Sequence, residues 1–161
     1  MDEERVVELH LGVTPEAAIS GAVLVQTESS TFLTFNAMQT TNRPFPGGGY
    51  YSEVAGTAVV EFSVCTATKF GYPNDEAWGS IPRTEGFSYG IFEVENSEWK
   101  LELSRLNRYA FPQTREWGGR HFLFLFHDSS FECIARDMKL EVTTEGYVEV
   151  FQKITSRILS E

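Results

Sequence analysis

The chain reads as an α+β protein: a mainly antiparallel sheet built from hairpins, with a mid-chain helix and a C-terminal amphipathic helix packed on one face. Three observations predict this. Along Thr57 to Phe70, Ala58, Val60, Phe62, Val64 and Phe70 are apolar while Glu61, Ser63 and Lys69 mark the other side, which is the period-2 pattern of a half-buried strand. Two pairs of β-favouring segments are separated by short polar runs, Glu28-Ser29-Ser30 and Asp128-Ser129-Ser130, which is hairpin spacing. Tyr147, Val150, Phe151, Ile154 and Ile158 recur at helical spacing near the end of the chain. Because strands and helices do not alternate regularly, an antiparallel sheet is expected over a parallel, doubly wound one. The terminal helix is expected to cover the greasy side of that sheet.

Val6 to Leu11 suits a first strand, although Asp2 to His10 also permits a helix. Thr14-Pro15-Glu16 has the form of an N-cap followed by proline at the first helical position, and Gly21 stops that helix within two turns. Ala22 to Thr27 and Thr31 to Ala37 form the first hairpin. Asn42 to Gly49 holds two prolines and three glycines, a composition that defeats helix and ladder alike and predicts a loop. Thr57 to Phe70 is one long strand, Gly71 to Ser88 a long loop and Tyr89 to Val94 a strand. Asn96 or Ser97 caps a helix with Glu98 in its first turn, an apolar stripe of Trp99, Leu103 and Leu106, and Arg105 and Arg108 near its end; Pro112 ends it. After the loop Phe111 to Gly119, His121 to His127 and Phe131 to Ala135 make the second hairpin, and Leu140 and Val142 extend the strand material. The last helix follows Thr143 or Thr144 as cap, with Glu149 and Lys153 as an i,i+4 pair.

Composition limits the function classes. A length of 161 residues fits one domain spanning residues 1–161, and 42% hydrophobic with 22% charged residues is a globular balance. The longest apolar run, around Phe122 to Phe126, is far short of the ~18 to 20 residues that cross a bilayer, so no membrane segment is expected. The acidic start Met1-Asp2-Glu3-Glu4-Arg5 lacks the features of a secretory signal, which predicts a cytoplasmic protein with Cys65 and Cys133 as free thiols. A net charge of −10 opposes nucleic-acid backbones. One basic island interrupts the acidity: Lys100, Arg105, Arg108, Arg115 and Arg120 against Glu102 and Glu116.

No motif names a reaction. His121 and His127 share one face of a predicted strand at a separation of about 20 Å, too far apart to hold one metal. Neither makes a ligand spacing with His10, Cys65 or Cys133, so no metal and no cofactor are expected. Gly47-Gly48-Gly49 is followed by Tyr50 and Tyr51 where a phosphate loop needs Lys and Ser or Thr, and Gly86 and Gly90 lack dinucleotide-loop spacing. Cys65 is expected on the polar face of the long strand and Cys133 in the core. A nucleophilic Cys65 needs a neighbour that lowers its pKa; without one it is a structural thiol.

Two loops remain. Tyr72, Asn74, Asp75 and Trp78 combine aromatic rings with polar groups, and Arg115, Trp117 and Arg120 combine guanidinium forks with an indole beside Gly118 and Gly119. Arginine forks suit carboxylates and phosphates, and aromatic anchors beside arginine are enriched at recognition surfaces. The leading expectation is therefore a non-catalytic binding or accessory domain for a small anionic ligand or a protein partner. Its rival is a hydrolase-like enzyme using His127 with Asp128 or Glu132 as general base and acid, adjacent to the hydroxyls of Ser129 and Ser130; a polar hairpin tip explains the same residues. A third expectation is an acidic inhibitor or antitoxin-like protein that neutralises a basic partner through charge.

Overall fold

A computed structural model describes residues 3–18, 21–114 and 118–160, with the side chain of Arg83 excepted. The strands are β1 (Arg5–Glu8), β2 (Thr14–Pro15), β3 (Val23–Gln26), β4 (Thr31–Pro44), β5 (Tyr50–Ser63), β6 (Ala67–Gly71), β7 (Gly90–Glu95), β8 (Arg120–Leu125), β9 (Ser130–Ala135) and β10 (Asp137–Thr143). The helices are α1 (Asp75–Gly79), α2 (Glu98–Ala110) and α3 (Tyr147–Ile158), with a 3-10 turn at Pro82–Thr84. The fold is α+β with antiparallel sheets. The described residues form two sheets, β1-β7-β8-β9-β6, and β10-β5-β4-β2 with β3 also on β4, and every pairing in them is antiparallel.

The two sheets face each other across an aromatic core. From the second sheet come Leu33, Phe35, Ala37, Ala58, Val60 and Phe62; from the first, Ile91, Phe122, Phe124, Phe126, Phe131, Cys133 and Ala135. Phe62 lies at its centre, its ring centroid 5.9 Å from Phe124 and 5.4 Å from Phe131, within the range where tilted aromatic pairs attract. The expected terminal helix forms, but the greasy side is covered by the opposing sheet. Helix α3 instead seals the outer face of the second sheet, where Val150 and Ile154 pack on Phe32 with Val25 and Val59. A third apolar cluster, on the outer face of the first sheet, joins Val6, Phe92, Val94, Leu123 and Leu125 to Trp78 of the long loop.

Several local expectations are corrected. The strand expected over Thr57 to Phe70 is two strands in different sheets, joined at Val64, whose φ of +49° turns the chain. Val64 is 54% exposed, whereas its even-numbered neighbours Val60 and Phe62 are buried. The return crossing at Arg136 lies alongside: Arg136 N–H donates to the Ser63 carbonyl (2.9 Å) and Thr66 N–H to that of Ile134 (2.8 Å). Thr14-Pro15 does not start a helix; it is an edge strand on Ala37 and Met38, a position where a missing N–H is harmless. The loop expected from Asn42 begins only after Pro44, because β4 and β5 continue as a two-stranded ribbon closed by a turn at 45–49. The long loop 71–88 carries α1 and the 3-10 turn. Helix α3 starts from Gly146, not from Thr143 or Thr144, and Lys153 pairs with Glu145 instead of Glu149.

Candidate functional site

Helix α2 is positioned by its N-terminus. Asn96 adopts a left-handed φ of +54°, a conformation asparagine tolerates better than most residues, and this redirects the chain from β7 into the helix. Ser97 then caps: its Oγ accepts the Lys100 N–H at 3.1 Å. The Glu4 carboxylate accepts the Glu98 N–H at 2.8 Å, placing negative charge at the positive end of the helix dipole. These contacts hold Trp99 against the outer face of the first sheet, its ring edge-on to His121 with centroids 5.2 Å apart.

Beneath Trp99 lies a buried polar chain. His121 is 4% and Glu132 8% exposed, and Ser97 1%. Strand alternation explains the placement: β8 and β9 send Phe122, Phe124, Phe131 and Cys133 into the core, so His121 and Glu132 point outward, beneath the helix. The Glu132 carboxylate, which only accepts, lies 2.9 Å from His121 Nε2, so this nitrogen carries a proton. His121 Nδ1 is 2.8 Å from Ser97 Oγ, which also accepts the Lys100 N–H. Lys69, directly opposite Glu132 in the β6–β9 ladder, places Nζ 3.8 Å from that carboxylate and 3.9 Å from the Trp99 ring centroid.

A cavity of about 590 Å³ opens between α2 and these strands. His121, Glu132 and Lys69 line it from the sheet, and Glu98, Trp99, Leu101, Glu102 and Arg105 from α2, with Glu4 beside them. Ser97 is not part of the lining.

The expected site residues distribute differently. Asp75, His127 and Asp128 do come together: His127 Nδ1 is 3.9 Å from Asp75 Oδ2, and Nε2 is 3.9 Å from Asp128 Oδ1. These distances are ion-pair range and too long for hydrogen bonds. Tyr89 OH lies 3.4 Å from His127 Nδ1, and its hydrogen bond to Asp75 pushes the phenol pKa up. Asn74 caps α1, accepting the Ala77 N–H at 3.2 Å; Tyr72 is exposed, and Trp78 is a buried anchor. Glu132 belongs to His121, not His127. Arg120 is held by Glu93 (2.6 and 3.0 Å) and Asp137 (3.1 Å), and those carboxylates raise its pKa further. Arg115 and Trp117 lie outside the described residues.

The cysteines also differ from expectation. Cys133 is in the core, but Cys65 packs against that core beside it instead of facing solvent, and both are free thiols. A hydrogen bond from Cys133, aided by Thr31 and opposed by burial, lowers the Cys65 pKa to about 7. Burial raises that of Cys133.

Ser97, His121 and Glu132 were not read together from sequence. The available signal was a glutamate inside the apolar strand Phe131-Glu132-Cys133-Ile134-Ala135, since a buried carboxylate demands a partner. Among the described residues no group of three or more His, Cys, Asp or Glu side chains is arranged to hold a metal ion, and no helix is long and apolar enough to cross a membrane. The chain matches no protein-family model, no curated protein and no solved structure.

Proposed function

We propose that this protein is a non-catalytic binding domain that holds a small molecule in the cavity between α2 and the first sheet. The observation that carries this reading is the floor of the cavity, a histidine and a glutamate both buried and hydrogen-bonded to each other at 2.9 Å in an otherwise open pocket of about 590 Å³. Ligand sites of roughly 300 to 1,000 Å³ typically combine an apolar or aromatic wall with a few fixed polar groups, and Trp99 with His121 and Glu132 is that combination. A fixed network lowers the ordering cost of binding.

Binding is favoured over catalysis by the state of Ser97. A serine, histidine and carboxylate in hydrogen-bonded sequence resemble a nucleophile relay. Here, however, Ser97 Oγ is buried, outside the cavity lining and engaged by the helix it caps, so no substrate carbonyl reaches it.

The experiment is a small-molecule screen by thermal shift, followed by 1H–15N NMR mapping of each stabilising compound. The reading predicts that stabilising compounds shift the Trp99 indole and the His121 resonances, and that Trp99→Leu abolishes their binding. Compounds that all map elsewhere and still bind Trp99→Leu would overturn it.

A further inference from the structure

We infer that the ligand of this pocket is an organic cation whose ammonium head takes the place now filled by the Lys69 side chain; this rests on the pocket reading above. Among the described residues the lining carries four carboxylates, Glu4, Glu98, Glu102 and Glu132, against two cations, Lys69 and Arg105. A field of that sign repels anions and concentrates cations, and the net charge of −10 on the whole chain reinforces it.

The side of the pocket at Trp99 and Glu132 is already built for an ammonium group. Lys69 Nζ stands 3.9 Å from the Trp99 ring centroid, within the ~6 Å over which an aromatic face attracts a cation. Glu132 lies below it at 3.8 Å, a distance that supplies charge attraction without a hydrogen bond. Lys69 is thus a loosely tethered occupant. Its side chain is 53% exposed, and its flexible stem lets the ammonium leave for solvent, opening the indole face beside Glu132 to another amine.

Arg105 follows Trp99 by six residues on α2, which is about 9 Å along the helix axis. The positive head of a ligand is therefore directed toward Trp99 and Glu132 and away from the guanidinium. Arg120, one of the arginines expected from the sequence to suit an anion, is committed to Glu93 and Asp137.

The test uses three probes of one shape, butylammonium, butyrate and 1-butanol, titrated into the full chain and followed at the Trp99 indole, which Trp99→Phe assigns. Butylammonium is expected to bind about tenfold or more tightly than either isostere. Lys69→Met, which removes the internal competitor, is expected to tighten butylammonium about 3- to 10-fold, the scale of a cation–π contact; Lys69→Gln serves if the methionine variant is poorly folded. Tighter binding of butyrate, weakened by Lys69→Met, would overturn the cation assignment, as would equal binding of all three probes; in either case the pocket reading stands. If no probe moves the Trp99 indole in the native chain or in Lys69→Met, the pocket reading itself fails.

Discussion

Removing His121 and Glu132 singly and together tests whether the floor of the pocket is one coupled unit. In His121→Ala, the buried Glu132 carboxylate loses a hydrogen-bond donor at 2.9 Å and Ser97 loses its partner at 2.8 Å. A hydrogen bond to a charged group contributes about 1.5 to 3 kcal/mol, and the lost ring packing adds to it, so the expected cost is roughly 3.5 kcal/mol. Glu132→Ala strands the Nε2–H of a histidine that is 4% exposed, at a cost of roughly 2.5 kcal/mol. In the double variant neither group is left without its partner, and the total should be about 4 kcal/mol, not the roughly 6 kcal/mol of independent losses, giving a coupling near 2 kcal/mol. Urea denaturation at pH 7 measures each variant. A coupling below about 0.5 kcal/mol, the additivity expected of separate sites, would refute the reasoning.

Three further outcomes follow from particular geometries. A Cβ added at Gly56 meets the Thr143 carbonyl oxygen at 2.3 Å, and the glycine φ is +134°; Gly56→Ala is expected to destabilise by roughly 3 kcal/mol or more, checked by the urea midpoint, and an unchanged midpoint contradicts the close approach of β5 to β10. Val64→Gly relieves a left-handed valine at the sheet switch and should stabilise, or cost nothing, within about 1 kcal/mol; a loss above that scale in the same assay speaks against the strain. Cys65, with its pKa lowered to about 7 by Cys133, should react with iodoacetamide at a rate that rises with pH, reaches half its maximum near pH 7 and levels off above. In Cys133→Ala the donor is gone, and that midpoint should move up toward the ordinary thiol value of ~8.5; an unmoved midpoint rules out Cys133 as the cause.

Much of the fold was legible because the patterns that predicted it are local. Alternation placed Val60 and Phe62 inward, short polar runs placed the hairpins, and Ser97 was a cap by its position before Glu98 and Trp99. The break at Val64 was not legible. Nothing in Ser63-Val64-Cys65-Thr66 resembles a turn, and only the pairing of β6 with β9 shows that the chain changes sheets there. The division into two sheets follows from such crossings, so the partner of the apolar face was expected to be a helix. The prolines of 42–49 suggested a loop, yet Pro44 closes a ribbon ladder opposite Tyr50.

The candidate site was less legible, for a physical reason: it is assembled from β6, β8, β9 and α2, whose neighbourhood depends on strand order. Asp75, His127 and Asp128 meet because the start of α1, which follows β6, and the turn after β8 share one end of the first sheet. Sequence exposed the arginine-rich segment but not its pairing. Arg120 balances Glu93 of its own sheet and Asp137 of the other, whereas Lys69, which read only as the wet face of a strand, stands over Trp99.

A crystal structure grown with butylammonium bears on the account most directly. The account predicts the amine nitrogen over the Trp99 ring beside Glu132, with the Lys69 side chain turned out into solvent. Density for the amine at another surface, with Lys69 still seated on Trp99, would contradict it.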